Sequence, residues 1–165
     1  MKRRRDEPME PAVAQTKLEE LCAASERCSW ELREKLHRWG IRGSEASAII
    51  DRLIADRFVD DERFARAFVI DKYRFSRWGR IKIRAALYAK RVPSWMIDEA
   101  MDEVDDEEYA DNLLQLLRVK RKALREEAET YEGRTKIFRY GASRGYELPL
   151  IASIIKSAAL WRDDD

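Results

Sequence analysis

The sequence predicts an all-α protein, and three observations carry that prediction. The first is composition: 20 Ala and 14 Leu stand against 6 Val, 3 Thr and 1 Asn. Strands want β-branched residues and hairpins want Asn-Gly or Asp-Gly turns, and both are scarce here, whereas good helix formers abound. The second is periodicity, with apolar residues recurring at i, i+4 and i+7. The third is punctuation: capping residues and isolated glycines fall between the periodic stretches.

Nine helices follow in order. Residues 1–11 are charged, carry Pro8 and Pro11 and form a basic start expected to be disordered. The first helix covers 13–25, with Leu18 and Leu21 inward. The second covers 30–39, capped by Ser29, with Leu32, Leu36 and Trp39 on one stripe and Gly40 as its C′ residue. Ser44 caps the third, 45–57, whose stripe is Ala46, Ile49, Ile50 and Leu53. Asp60 or Asp61 starts the fourth, 61–76, on Phe64, Ala65, Phe68 and Val69. The fifth, 80–91, follows the Trp78-Gly79 break and buries Ile83 and Leu87. Pro93 and Ser94 open the sixth, 94–104, with Ile97 and Met101 inside. Asp105 or Asp106 starts a long seventh helix, 106–127, on Tyr109, Leu113, Leu116, Leu117 and Leu124. The eighth is 131–143, closed by Gly145, and the ninth is 148–160, with Pro149 in its first turn. Residues 161–165 are an acidic tail.

These helices repeat in threes. Leu32, Leu36, Gly40 and Ile41 match Ile83, Leu87, Arg91 and Val92, and then Ile137, Gly141, Gly145 and Tyr146, at identical spacing. The units are 12–59, 60–104 and 105–160. Each is too small to bury its apolar faces alone, so stacked neighbours are expected to cover them.

The net charge of +1 hides a strong asymmetry. Residues 63–91 hold ten cations and one acid, Asp71, whereas 98–111 hold nine acids and no base. The cations are Arg63, Arg66, Lys72, Arg74, Arg77, Arg80, Lys82, Arg84, Lys90 and Arg91. On a 100° wheel Arg63, Arg66, Arg74 and Arg77 share a face of the fourth helix, and Arg80, Arg84 and Arg91 share one of the fifth. Tyr73, Phe75, Trp78 and Tyr88 are candidates to stack between them. A secondary basic face, Arg118, Arg121, Lys122 and Arg125, sits on the seventh helix at i, i+3, i+4 and i+7. Such surfaces suit a polyanion, either nucleic acid or an acidic protein face. Pairing within the chain to the acidic block is the alternative.

Catalysis and metal binding find no footing. His37 is the only histidine, and it sits on a charged helix. No Gly-rich phosphate loop exists, and Asp105-Asp106-Glu107-Glu108 lacks the EF-hand spacing. Cys22 and Cys28 are not spaced as a redox or metal pair, so they read as core or bystander thiols of a cytoplasmic protein. No secretory signal opens the chain, and no apolar run reaches the ~20 residues of a membrane span.

The assembled residues resemble the RecX family of bacterial regulators of the RecA recombinase. In the first unit the resemblance rests on Cys28 to Leu36 followed by Trp39-Gly40-Ile41. In the second it rests on Phe58 to Val69, Asp71 to Phe75, Trp78-Gly79-Arg80 and Lys82-Ile83-Arg84. In the third it rests on Arg139 to Tyr146. Two departures are Lys90-Arg91-Val92, where Lys-Gly-Ile is usual, and Gly141, where Leu is common. The first weakens the expectation of a left-handed cap there, and the second implies a thinner third-unit core.

The resemblance implies three tandem three-helix repeats in an elongated, curved, solenoid-like body. It also implies a non-enzymatic regulator without cofactor, expected to be a monomer. Such a protein binds RecA filaments on single-stranded DNA, inhibits ATP hydrolysis and strand exchange, and so modulates DNA repair and the SOS response. The second-unit cations together with Trp78 are the expected RecA or DNA contact, and whether DNA is touched directly or through RecA stays open. A stand-alone nucleic-acid-binding protein of helix-turn-helix type is the alternative, and a helical adaptor without nucleic acid is a third.

Overall fold

The structure is a computed structural model, and it describes residues 7–162 of the chain. The chain is all-α and runs through α1 (Pro11–Ala24), α2 (Ser29–Arg38), α3 (Gly43–Ala55), α4 (Asp61–Arg74), α5 (Arg80–Ala89), α6 (Ser94–Met101) and α7 (Asp106–Leu124). A 3-10 turn (Arg125–Glu129) leads to α8 (Tyr131–Ser143), α9 (Leu148–Lys156) and α10 (Ala158–Trp161). α3 packs on α1 and α2, α4 to α6 pack on one another, and α7 to α10 form the third group.

Three exits share one geometry, which is the physical content of the sequence repeat. The N–H of Ile41 donates to Leu36 O, that of Val92 to Leu87 O and that of Tyr146 to Gly141 O, at 2.9, 3.2 and 3.2 Å. In each case the preceding residue is left-handed: Gly40 at φ +83°, Arg91 at +59° and Gly145 at +89°. This is the six-to-one closure that satisfies the last carbonyls of a helix. The absence of glycine at position 91 therefore does not abolish the cap. Closing the turn outweighs the ~1–2 kcal/mol cost of a side chain in this region. Arg91→Gly is expected to raise stability by about 0.5–1 kcal/mol, since relief of that strain exceeds the added freedom of the unfolded chain. A urea titration at constant m-value checks it.

Positive φ without glycine marks several other helix ends, and at Arg57 the same closure recurs, with Phe58 N donating to Leu53 O at 2.9 Å. Arg57, Arg77 and Arg125 also have positive φ, at 61°, 51° and 53°. Without a glycine to mark these exits, periodicity overruns them. α3 ends at Ala55 rather than 57, α4 at Arg74 rather than 76, α5 at Ala89 rather than 91 and α7 at Leu124 rather than 127. Beyond Arg125 the chain must leave the α7 axis so that Ala128 enters the core and the Glu127 carbonyl lies against Gly133. α6 stops at Met101, and the ninth helix divides at Ser157, whose ψ of 135° breaks it and whose Oγ accepts from Ala159 N. Asp60 and Asp105 cap α4 and α7 as expected. The expected caps Ser29 and Ser44 instead lie inside helices whose N-caps are Cys28 and Arg42.

The buried apolar residues fall into two clusters. One joins Met9, Leu18, Leu32, Leu36, Ile49 and Leu53 in the first group of helices. The other runs unbroken through the second and third, from Phe64 and Leu87 to Tyr109, Ile137 and Ile151. Met9 is buried, and its N–H donates to Trp39 O at 2.8 Å, so the expected structureless start does not extend that far. Residues 1–6 of that segment lie outside the described residues, as do 163–165 of the acidic tail, while Trp161 Nε1 donates to Ile155 O at 2.8 Å. Among the described residues no helix is long and apolar enough to cross a membrane.

Candidate polyanion-binding face

The turn between α4 and α5 is where the second and third groups meet. Gly79 N donates to Arg144 O at 2.8 Å and Ile81 N to Gly145 O at 3.0 Å. In return Arg144 Nη2 reaches Ser76 O at 2.5 Å, and the Tyr146 hydroxyl donates to Arg77 O at 3.0 Å. Arg80 N donates to the Tyr109 hydroxyl at 2.9 Å, which itself donates to Glu147 Oε2 at 2.6 Å. Burial, and then that carboxylate, push the Tyr109 hydroxyl well above the usual tyrosine range. Removing it in Tyr109→Phe leaves a half-buried backbone N–H and the Glu147 carboxylate without that partner, for a loss of about 1 kcal/mol read by thermal or urea unfolding.

Much of the basic block serves this architecture. The Arg80 guanidinium stacks 4.0 Å from the Tyr109 ring and pairs with Asp106 at 2.5 Å and Glu147 at 3.5 Å. Arg74 pairs with Glu108 at 3.4 Å, and that carboxylate raises the Arg74 pKa further. Arg84 pairs with Asp98 at 2.6 Å. The acidic run at 98–111 is thus the counter-charge to α4 and α5, with Asp105 used as a cap. At the other junction Arg63 holds Glu26 at 2.7 Å and reaches the carbonyls of Arg57 and Phe58, and Lys90 pairs with Glu31. Asp61 accepts from Ser29 N and Oγ at 2.7 and 2.6 Å, again tying the first group to the second.

Other members of the block face outward. Arg66, Arg77 and Arg91 are exposed and form no ion pair among the described residues. Arg77 and Arg91 lie beyond the ends of α4 and α5, so they do not share the helical faces that the wheel assigned them. Lys72 and Lys82 place their ammoniums 5.0 and 4.5 Å from the centre of the Trp78 ring, and Lys72 also lies 3.4 Å from Asp71.

Two of the four proposed stacking aromatics are occupied. Tyr73 is fully buried and Trp78 packs on the core, whereas Phe75 and Tyr88 are 79% and 71% exposed. The secondary face is divided too. Arg118 donates to Ala159 O at 2.9 Å and Arg121 is buried, leaving Lys122 and Arg125 outside. Arg125 is off the α7 face because the helix has ended.

Cys28 is buried, which pushes its thiol up to about 11, and Cys22 is half-buried with its thiol also raised by burial. His37 is exposed. What sequence reading missed is the pair Gly79 and Gly145, which bring two backbones together. The glycines were visible, but their contact across more than a unit's length of chain was not.

Comparisons with known proteins fit this architecture. Residues 60–101 match the family description "RecX, second three-helix domain". A regulatory protein RecX of Clostridium botulinum is 33% identical over 129 residues, covering 78% of this chain and 60% of that protein. That of Thermus thermophilus is 42% identical over 65 residues, covering 39% and 44%. The crystal structure of RecX from Lactobacillus salivarius superposes with a TM-score of 0.78 at 19% identity, over 88% of this chain and 94% of that one. A second crystal structure, of regulatory protein RecX, gives 0.79 at 17%, over 89% and 72%. At those identities the two structures speak for the fold. The chain spans about 60% of the length of the Clostridium botulinum relatives it matches.

Proposed function

The chain belongs to the RecX family, and from that premise we propose that it is a non-enzymatic regulator that binds RecA filaments on single-stranded DNA. It inhibits ATP hydrolysis and strand exchange and so acts in the cytoplasm on DNA repair and the SOS response. One observation carries this reading: the segment matching the family domain, 60–101, contains the cation-dense block and its exposed members. The contact set is Arg66, Arg77 and Arg91, supported by Lys72, Lys82 and Trp78. Arg63, Arg74, Arg80 and Lys90 pair with acids of the neighbouring units behind it, and Arg84 ties α5 to α6 through Asp98.

RecA ATPase on single-stranded DNA, titrated with this protein, tests the proposal. Dose-dependent inhibition is expected, and unchanged turnover at saturating protein overturns it. A helix-turn-helix reader would use the first turn of its recognition helix on base edges. Here the first turn of α5 is taken up by Tyr109, Gly145 and Arg144. Sequence-selective duplex binding without RecA would reverse that judgement.

A further inference from the structure

The third group of helices carries more apolar surface than its core uses. α9 reads Leu-Pro-Leu-Ile-Ala-Ser-Ile-Ile-Lys, with no charge before Lys156. A helix that apolar all round is ordinarily buried all round. Its Ile151 and Ile154 enter the core, and Leu148, Ala152 and Ile155 form a second stripe at i, i+4 and i+7, in which Ile155 is half-buried against that core, Ala152 is half-buried and Leu148 is exposed. α8 does the same, burying Ile137 and Gly141 while Tyr131, Thr135 and Phe138 line its flank. Between the two stripes lies an open groove of about 340 Å³. Tyr131 stands at one end, 82% exposed, and Leu148 is 51% exposed. Surface of this kind marks an interaction site.

The rim says what kind of partner fits. Arg134 and Arg139 bracket the α8 stripe, about 60° to one side and about 80° to the other on a helical wheel. Lys156 closes the α9 side. Arg139 and Lys156 are exposed, and Arg134 is braced 4.7 Å from the Trp161 ring. Glu132, in the first turn of α8, is the one acid within these two helices. Two parallel stripes at helical spacing accept a third helix laid between them, read through its own i, i+4 and i+7 anchors. We propose that the groove between α8 and α9 docks an acidic amphipathic helix of a protein partner. This surface is separate from the cation block of the second unit.

The test uses the full chain, without RecA, and a fluorescein-labelled helical peptide of about 18 residues. The peptide carries Leu at i, i+4 and i+7 and Glu on its other face. Anisotropy is expected to show binding, at least tenfold weaker for the same peptide with Lys in place of Glu. Tyr131→Ala and Lys156→Glu, both at exposed positions, are each expected to weaken it at least fivefold without moving the thermal midpoint. Equal binding of the acidic and basic peptides, or parental affinity in both variants, overturns the proposal. So does a concentration-dependent dimer in sedimentation that Tyr131→Ala disperses, because the groove then belongs to a second copy of the chain.

Discussion

A Gly79→Ala variant is expected to melt roughly 6–12 °C below the parent protein, from a loss of about 3 kcal/mol spread over a domain of this size. The cause is steric and local. Gly79 has φ −76° and ψ 162°, a conformation alanine adopts freely, so no backbone preference is violated. What fails is space: a Cβ there would lie 2.1 Å from both C and O of Gly145. Those are backbone atoms, held by the Gly79 N to Arg144 O and Ile81 N to Gly145 O hydrogen bonds, and they cannot swing aside as a side-chain tip would. Gly145→Ala is expected to cost more. Its Cβ would meet Lys82 Cβ at 2.3 Å and Lys82 N at 2.7 Å, and its φ of +89° adds about 1–2 kcal/mol for any side chain. Circular dichroism melts check both. Because Met9, Leu18, Leu36 and Ile50 form a separate cluster, amide exchange in α1 to α3 is expected to change least. A parental midpoint for Gly79→Ala would show that the second and third units do not meet backbone to backbone.

The helices were legible because each needs only local information. Leu32 with Leu36, or Ile83 with Leu87, declare an inward stripe by spacing, and Asp60 and Asp105 declare a start by side-chain chemistry. The exits were less legible at Arg57, Arg77, Arg91 and Arg125, where the backbone turns left-handed without the residue that usually signals it. At Arg57 and Arg91 a six-to-one backbone hydrogen bond closes the turn, and because backbone atoms make it, no side chain in the sequence announces it. The charge block shows the same limit. Ten cations in 29 residues read as one surface. Yet whether Arg74 faces a ligand or Glu108, and whether Arg80 faces solvent or Tyr109, depends on how α7 docks on α4 and α5. Arg and Asp carry no label for which partner they meet. The structure turns a uniform basic stretch into two populations, one paired with acids within the fold and one that faces outward.

That division sets the most informative functional variant. An Arg66→Ala, Arg77→Ala, Arg91→Ala triple is expected to raise the protein dose needed to inhibit RecA ATPase by about 10- to 100-fold. The figure follows from three solvent-edge ionic contacts at roughly 0.5–1 kcal/mol each, with about 1.4 kcal/mol per factor of ten. Stability is expected to stay within about 0.5 kcal/mol. None of the three forms an ion pair among the described residues, and alanine carries the same left-handed cost as arginine at positions 77 and 91. Arg80→Ala is the contrasting variant. It removes the stack on Tyr109 and the pairs to Asp106 and Glu147, so inhibition and thermal midpoint should fall together. Repeating the ATPase titration at two salt concentrations separates the readings further. Loss of outward cations flattens the salt dependence of a phosphate contact, whereas loss of a junction residue lowers the amount of competent protein at every salt. If the triple variant keeps its fold and inhibits at the parental dose, the outward cations of the second unit are not the contact.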